Sequence, residues 1–370
     1  MYENKNHFQV CFNIMKLRYS DFDRMVDNLN MLSMGDNINV FINMETVLRN
    51  LCTVRDIDQK MIGSKNVGTG IIADTLNLAA HYKRFFVDNG LHTRVFIYMT
   101  DLQSDAMKEE KWNEDYRSYY FLKYNRNPKY ESLREELEKT VYAQLRSITQ
   151  FIPDVYFITA KNFDGTMIPY IIGESDPSYK NFIISSDCVE TQYTLFPNYV
   201  HFYMKRGYSA NIVNYTMQAY LENIFKLKAS DGQYANLFCN RSFYLCLFGG
   251  IGEKYRCIDK ISDLTPLRVV KYLISGLENH LLTFTTESVE LLLQVFPKEI
   301  RNELENDIRQ IDIKFKNNEL TEEDRFQIQS QIINRFDNNS LTKLSQTMFY
   351  DNPLMLEELT KQVMNRESLL

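Results

Sequence analysis

The chain has 370 residues, 44% of them hydrophobic and 24% charged, with a formal net charge of −6. That length allows about two or three domains and a sizeable core, and the mild acidic balance excludes a wholly basic nucleic-acid coat protein, so any contact with nucleic acid must be local. The opening residues MYENKNHFQVCFNIMK lack the basic-then-apolar layout of a secretory signal, and no run approaches the roughly 18 apolar residues of a membrane span, so a cytoplasmic protein with no membrane partner is expected.

In chain order, residues 1–36 read as a short helical extension. Five short apolar runs then look like buried strands: Asn39–Ile42 (NVFI), Arg94–Met99 (RVFIYM), Asp154–Thr159 (DVYFIT), Phe182–Ser185 (FIIS) and Val200–Met204 (VHFYM). Between the first two, Ile71–Val87 carries Ile72, Leu76, Ala79, Ala80 and Phe86 at near-helical spacing, bracketed by Gly70 and Gly90. A long polar, helix-prone stretch at 103–150 separates the second run from the third. Strands separated by helices imply right-handed crossovers and a three-layer parallel sheet. Beyond about residue 206 the strand signal fades, and 211–228, 264–281, 286–295, 297–312 and 321–335 read as helices, with Thr286 and Thr321 as N-caps. At Thr321 the TEED sequence only approximates a capping box, because Asp324 stands where Glu or Gln is usual.

Metal and nucleophile chemistry finds little support in sulfur or imidazole. The six cysteines, at 11, 52, 188, 239, 246 and 257, form no CxxC pair, and the five histidines are dispersed. Three other stretches carry chemistry. NFIISSDCVETQY, 181–193, is a strand that closes at Ser185–Ser186 and delivers Asp187 to a loop, a common place for metal chemistry in parallel sheets. YRSYYFLKYNRNPKY, 116–130, holds Arg117, Lys123, Arg126 and Lys129, no acid, and the aromatics Tyr116, Tyr119, Tyr120, Phe121, Tyr124 and Tyr130. Bases stack on such rings for roughly 1–3 kcal/mol each while cations track phosphates; the same stretch also reads as an amphipathic helix with its rings in a core. GGIGEKYRCIDKI, 249–261, combines Gly249, Gly250 and Gly252 with Lys254, Arg256 and Lys260. Exposed amides plus cations suit a phosphate backbone and read no sequence, although a plain glycine-rich turn between helices has the same composition.

KWNEDYRSYYFLKYNRNPKY (111–130), NFIISSDCVETQYTLFPNYVHFYMKRG (181–207) and GGIGEKYRCIDKI, in this order, resemble segments of the flap endonuclease and 5′–3′ exonuclease family. The resemblance spans most of residues 37–265. It implies a PIN-like α/β domain over 37–205 with a helical-arch-like insertion near 103–150. A helical domain over 206–370 would follow, with a helix–three-turn–helix-like hairpin near 240–262. The Asn-, Ile- and aromatic-rich composition adds an associational pointer to an AT-rich genome such as a phage's.

The family uses two Mg²⁺ held by many carboxylates at the strand ends. Matched position by position, this chain keeps Asp164 and Asp187. Asn43 stands at the end of the first strand, with Glu45 two residues on. Tyr98 or Met99 ends the second, with Asp101 reached only by a slip of two. Asn162 and Gly165 flank Asp164, Val189 follows Asp187, and Asn240 and Phe243 precede the glycine hairpin. Asp101, Asp164, Asp187, Glu190 and Glu45 are therefore the metal candidates: the matched pair Asp164 and Asp187 could hold one Mg²⁺ loosely, and Asp101, Glu190 and Glu45 are near misses. The resemblance implies a catalytically degenerate, nuclease-like protein of a replication or transcription complex. It would bind DNA or RNA through Tyr116, Arg117, Tyr120, Lys123, Tyr124, Arg126, Lys129, Gly250, Gly252, Lys254 and Arg256, or contact protein partners. An active nuclease with a rearranged acid set, and a structural subunit that binds no nucleic acid, are the alternatives.

Overall fold

The computed structural model describes residues 35–44, 46–47, 69–101, 141–185, 190, 192–193, 196, 198–204, 212–214, 271–272, 275–276, 278–281 and 288–333. The expected extension over 1–36 (apart from its last two residues), nearly all of the insertion near 103–150 up to residue 140, and the glycine hairpin near 240–262 lie outside these residues.

β1 (Asn37–Asn43) is the centre of the sheet, and Ile38, Val40, Phe41 and Ile42 are completely buried. A continuous apolar run of this kind suits a strand covered on both faces. α1 (Thr69–Asp88) follows and ends at Gly90, whose φ of +78° is a conformation that other residues rarely adopt. Next come β2 (His92–Thr100), α2 (Ala143–Thr149) and β3 (Val155–Ala160). A single 3₁₀ turn at Gly165–Met167 leads into α3 (Ile168–Ser175), β4 (Lys180–Ser185) and β5 (Tyr199–Met204).

The strand order is β3-β2-β1-β4-β5 with all five parallel, as the alternation of strand and helix predicts. A sixth strand, β6 (Ile212–Asn214), pairs antiparallel with β5. This corrects the helix expected from residue 211. An open edge of β5 offers ladder hydrogen bonds to the short Ile-Val pair, and that outweighs local helical preference. The sheet therefore runs past residue 205.

Both faces are covered. On one, Phe182 lies between Phe86 of α1 (ring centroids 4.9 Å apart) and Phe202 of β5 (5.8 Å), and Tyr142 stacks on Phe157. On the other, Phe41, Phe96 and Tyr156 stack in series across three strands, each pair 5.1 Å apart. That series packs with Ile168, Ile171 and Ile172 of α3. It also packs with two residues from much later in the chain, Ile313 and Ile328.

Those two belong to the last described helices. α4 (Val289–Leu293) and α5 (Lys298–Ile311) fall inside the helices expected at 286–295 and 297–312. Ser288 is the N-cap residue of α4, and Thr286 lies outside the described residues. Asp312 then ends α5 and starts α6 (Ile313–Glu319), its carboxylate accepting from the backbone N–H of Lys314 and Phe315. α7 (Glu322–Gln329) opens with a complete capping box: Asp324 N donates to Thr321 Oγ1, and Thr321 N donates back to the Asp324 carboxylate. The shorter Asp at this position suffices.

α7 and the turn that follows it also protect the edge of β3. The Gln331 side chain accepts from Thr159 N (3.0 Å) and donates to Thr159 O (2.9 Å), and Gln327 donates to the same carbonyl (3.0 Å). A side-chain amide here imitates a neighbouring strand, satisfying groups that would otherwise template another chain.

Phe182→Ala is expected to cost about 3–5 kcal/mol in denaturant unfolding, whereas Phe326→Ala, at 69% exposure, changes stability by less than about 0.5 kcal/mol. Burial, with a smaller contribution from Arg84, pushes the His81 ring down to about 3 from its ordinary 6.5. The unfolded chain therefore takes up this proton at higher pH than the folded one, so its contribution to stability is present above about 6.5 and is lost as pH falls toward about 3. Denaturant midpoints across that range should fall with acid, and His81→Asn should flatten the slope.

Candidate functional site

The parallel register brings the ends of β1 and β2 level, with Asn43 opposite Tyr98. Period-two alternation puts both side chains on the face that carries Phe41 and Phe96. Glu190, on the connection after β4, reaches into the same place and is completely buried. The Asn43 amide donates to Oε1 (3.2 Å) and Oε2 (3.1 Å) of Glu190, and the Tyr98 hydroxyl donates to Oε1. The backbone N–H of Thr46 donates to Asn43 Oδ1 (3.3 Å), which fixes the orientation of the amide and turns its NH₂ toward the carboxylate. A buried carboxylate is tolerated only with such donors.

The second carboxylate is Asp164, 5% exposed. It caps the 3₁₀ turn, Oδ1 accepting from Thr166 N at 2.9 Å, while Oδ2 accepts from the ammonium of Lys316 on α6 at 2.8 Å. Tyr193 links the two acids' surroundings. Its hydroxyl donates to Thr166 O (2.6 Å) and accepts from Tyr170 N (3.1 Å). Burial first, then Tyr199 and Glu190, pushes its pKa well above the ordinary phenol value, so it is a neutral structural donor.

Gly165, beside Asp164, stands where the resemblance places a further carboxylate. Its backbone N–H donates to Thr100 Oγ1 at 2.9 Å. A Cβ here would lie 2.6 Å from both Met99 C and Thr100 N, main-chain atoms that cannot step aside. The turn has settled onto the end of β2, and no side chain fits at this position.

Of the expected metal candidates, the structure brings Asp164 and Glu190 to the same strand-end region. Asp101 lies just past the end of β2, where its backbone N–H donates to Ala160 O (2.7 Å). Asp187 and Glu45 lie outside the described residues, as do Tyr116, Arg117, Tyr120, Lys123, Tyr124, Arg126, Lys129, Gly250, Gly252, Lys254 and Arg256. Sequence reasoning misses three participants. Lys316 is separated from Asp164 by 152 residues, Gln192 accepts from Ile313 N at 3.2 Å, and Tyr98 acts as a donor to Glu190 where the sequence suggests only a missing acid.

Hard divalent ions take oxygen ligands in demanding geometry. Here each oxygen of Asp164 and Glu190 already accepts from a protein donor, one of them an ammonium. Among the described residues, the Lys316 ammonium thus competes with any other cation for Asp164 Oδ2. Among the described residues, no group of three or more His, Cys, Asp or Glu is arranged as a metal site.

The fold is α/β, a five-stranded parallel sheet with helices on both faces and a sixth, antiparallel strand at one edge. No family model matches the chain, and no curated protein matches it. Among solved structures, it is similar to a pseudo-enzyme form of the flap endonuclease of bacteriophage T5, in a product complex with DNA and metal ions. The TM-score is 0.33 at 12% identity, over 74% of this chain and 99% of that one. A likeness of that size identifies neither activity nor ligand. No described helix is long and apolar enough to cross a membrane.

Removing one donor from the buried carboxylate tests this arrangement. Tyr98→Phe should lower unfolding stability by about 1–3 kcal/mol. Gly165→Ala should also destabilise, because the clash is with backbone, and its effect should add to that of the distant Phe182→Ala within about 0.5 kcal/mol.

Proposed function

We propose that this chain is a catalytically degenerate, 5′-nuclease-like protein that binds nucleic acid on an α/β scaffold without two-metal hydrolysis. The observation that carries this reading is the commitment of the strand-end carboxylates. Glu190 is held by the Asn43 amide and the Tyr98 hydroxyl, and Asp164 by Lys316. Two-metal cleavage needs carboxylates that can neutralise two ions about 4 Å apart and orient both the attacking and the leaving oxygen. An amide, a phenol and an ammonium at the same strand ends supply donors instead of ligands.

Nucleic-acid binding is inferred from the sequence of 116–130 and 249–260. Their aromatic and basic residues suit stacking and phosphate contacts, with no sequence readout. The binding is thus local and electrostatic, as the acidic balance of the whole chain requires.

The test has two arms. With flap, nicked and single-stranded DNA in Mg²⁺ or Mn²⁺, the protein should give no cleavage; cleavage abolished by Asp164→Ala or Asp187→Ala would establish the active-nuclease alternative. In fluorescence titrations at several salt concentrations, Lys123→Ala/Arg126→Ala should reduce the log–log salt slope by roughly 0.7–0.9 for each phosphate that is no longer neutralised, while Tyr124→Ala should weaken binding with little change of slope. Absence of binding even at about 50 mM salt, where counterion release still favours it, would move the structural-subunit reading to first place.

A further inference from the structure

We propose that Lys316 is a resident cation: its ammonium supplies, at the strand-end carboxylate Asp164, the charge compensation that a divalent ion would otherwise supply, and in doing so fastens the 312–331 helical segment over the site. The proposal rests on the reading of a degenerate strand-end site and names what took the metal's place.

A carboxylate that is 5% exposed needs a compensating charge, because its desolvation costs several kcal/mol if it stays ionised alone. Lys316 meets that need at 2.8 Å while itself only 13% exposed. A lysine lying along the surface would keep its head in water; this one turns inward and leaves its charge on Asp164.

The ion pair is one of several interactions that hold the same segment to the same end of the sheet. Gln192, two residues after Glu190, accepts from Ile313 N, and Ile313 is 1% exposed in the core beside Tyr193. Asn162, two residues before Asp164, donates to Asp324 of α7 at 3.2 Å. Gln327 and Gln331 hold Thr159 of β3. Each loop that delivers a carboxylate is therefore also tied to α6 or α7, and the ammonium is inserted from one turn of α6. A chelator leaves such an arrangement in place, since the cation is covalently part of the chain.

The test uses the full chain and Mn²⁺ as the probe, read by the electron paramagnetic resonance of free Mn²⁺ and independently by thermal unfolding. Wild type should take up no Mn²⁺ that depends on Asp164. Lys316→Gln, which is one atom shorter, keeps a polar end and removes the charge, should gain Mn²⁺ binding at least about tenfold tighter than wild type, and Asp164→Asn in the same background should abolish the gain. If Lys316→Gln unfolds on its own, refolding in millimolar Mn²⁺ reports the same exchange of one cation for another. Three results would overturn the proposal: a wild-type Mn²⁺ site that disappears in Asp164→Asn, a folded Lys316→Gln with no gain, or an unfolded one that Mn²⁺ does not restore. Because the readout is cation binding and not cleavage or DNA affinity, it fails independently of the proposed function.

Discussion

A parallel sheet has to be buried on both faces, and this chain covers its two faces by different means. Helices close in sequence, α1 and α2, lie over one face through rings such as Phe86 and Tyr142. The other face is closed by α3 together with Ile313 and Ile328, which return from beyond residue 300. Everything peculiar to the strand-end region depends on that return. It brings Lys316 to Asp164, Ile313 to Gln192, and two glutamines to the open edge of β3.

A polar ladder at the opposite end of that face shows how the interior handles polar groups. Asn39 donates to Asn181, Arg94 donates to Asn39 and Asp176, and its guanidinium lies 3.9 Å over the Tyr179 ring. These interactions tie β2, β1 and β4 together and fix the register of three strands. Both ends of the sheet thus carry buried polar groups held by specific partners. At the start of the strands the partners serve alignment. At their ends, the partners satisfy two buried carboxylates, Glu190 and Asp164.

The strand-end region is shaped by backbone as well as by side chains. At Gly165 the backbone occupies the space where a carboxylate side chain would stand. At Asn43 the amide, oriented by Thr46, has become a donor to the neighbouring acid. A carboxylate placed at Gly165 would meet main-chain atoms, and one placed at Asn43 would meet Glu190. The region is self-consistent as a hydrogen-bonded, charge-compensated core, which is a different physical solution from an open ligand shell.

The sequence by itself determined the five parallel strands and the helix between the first two, because apolar runs and 3.6-residue spacing are local signals that survive without knowing the partners. Through the family resemblance it also marked Asp164 and Glu190 as metal candidates, and Asn43, Tyr98 and Gly165 as places where that family has acids. Tertiary structure alone decided which partners these residues meet. That β6 is a strand depended on the free edge of β5, which no window around Ile212 contains. That Ile313 and Ile328 cover the sheet face required the late helices to return to it, a contact that no local window contains. That Tyr98 faces Glu190 required the register of β1 with β2, and that Lys316 faces Asp164 required a chain reversal spanning 152 residues. Local propensity carries no term for a charge pair at that separation; only the burial of Asp164, which makes an uncompensated carboxylate intolerable, selects the lysine that answers it.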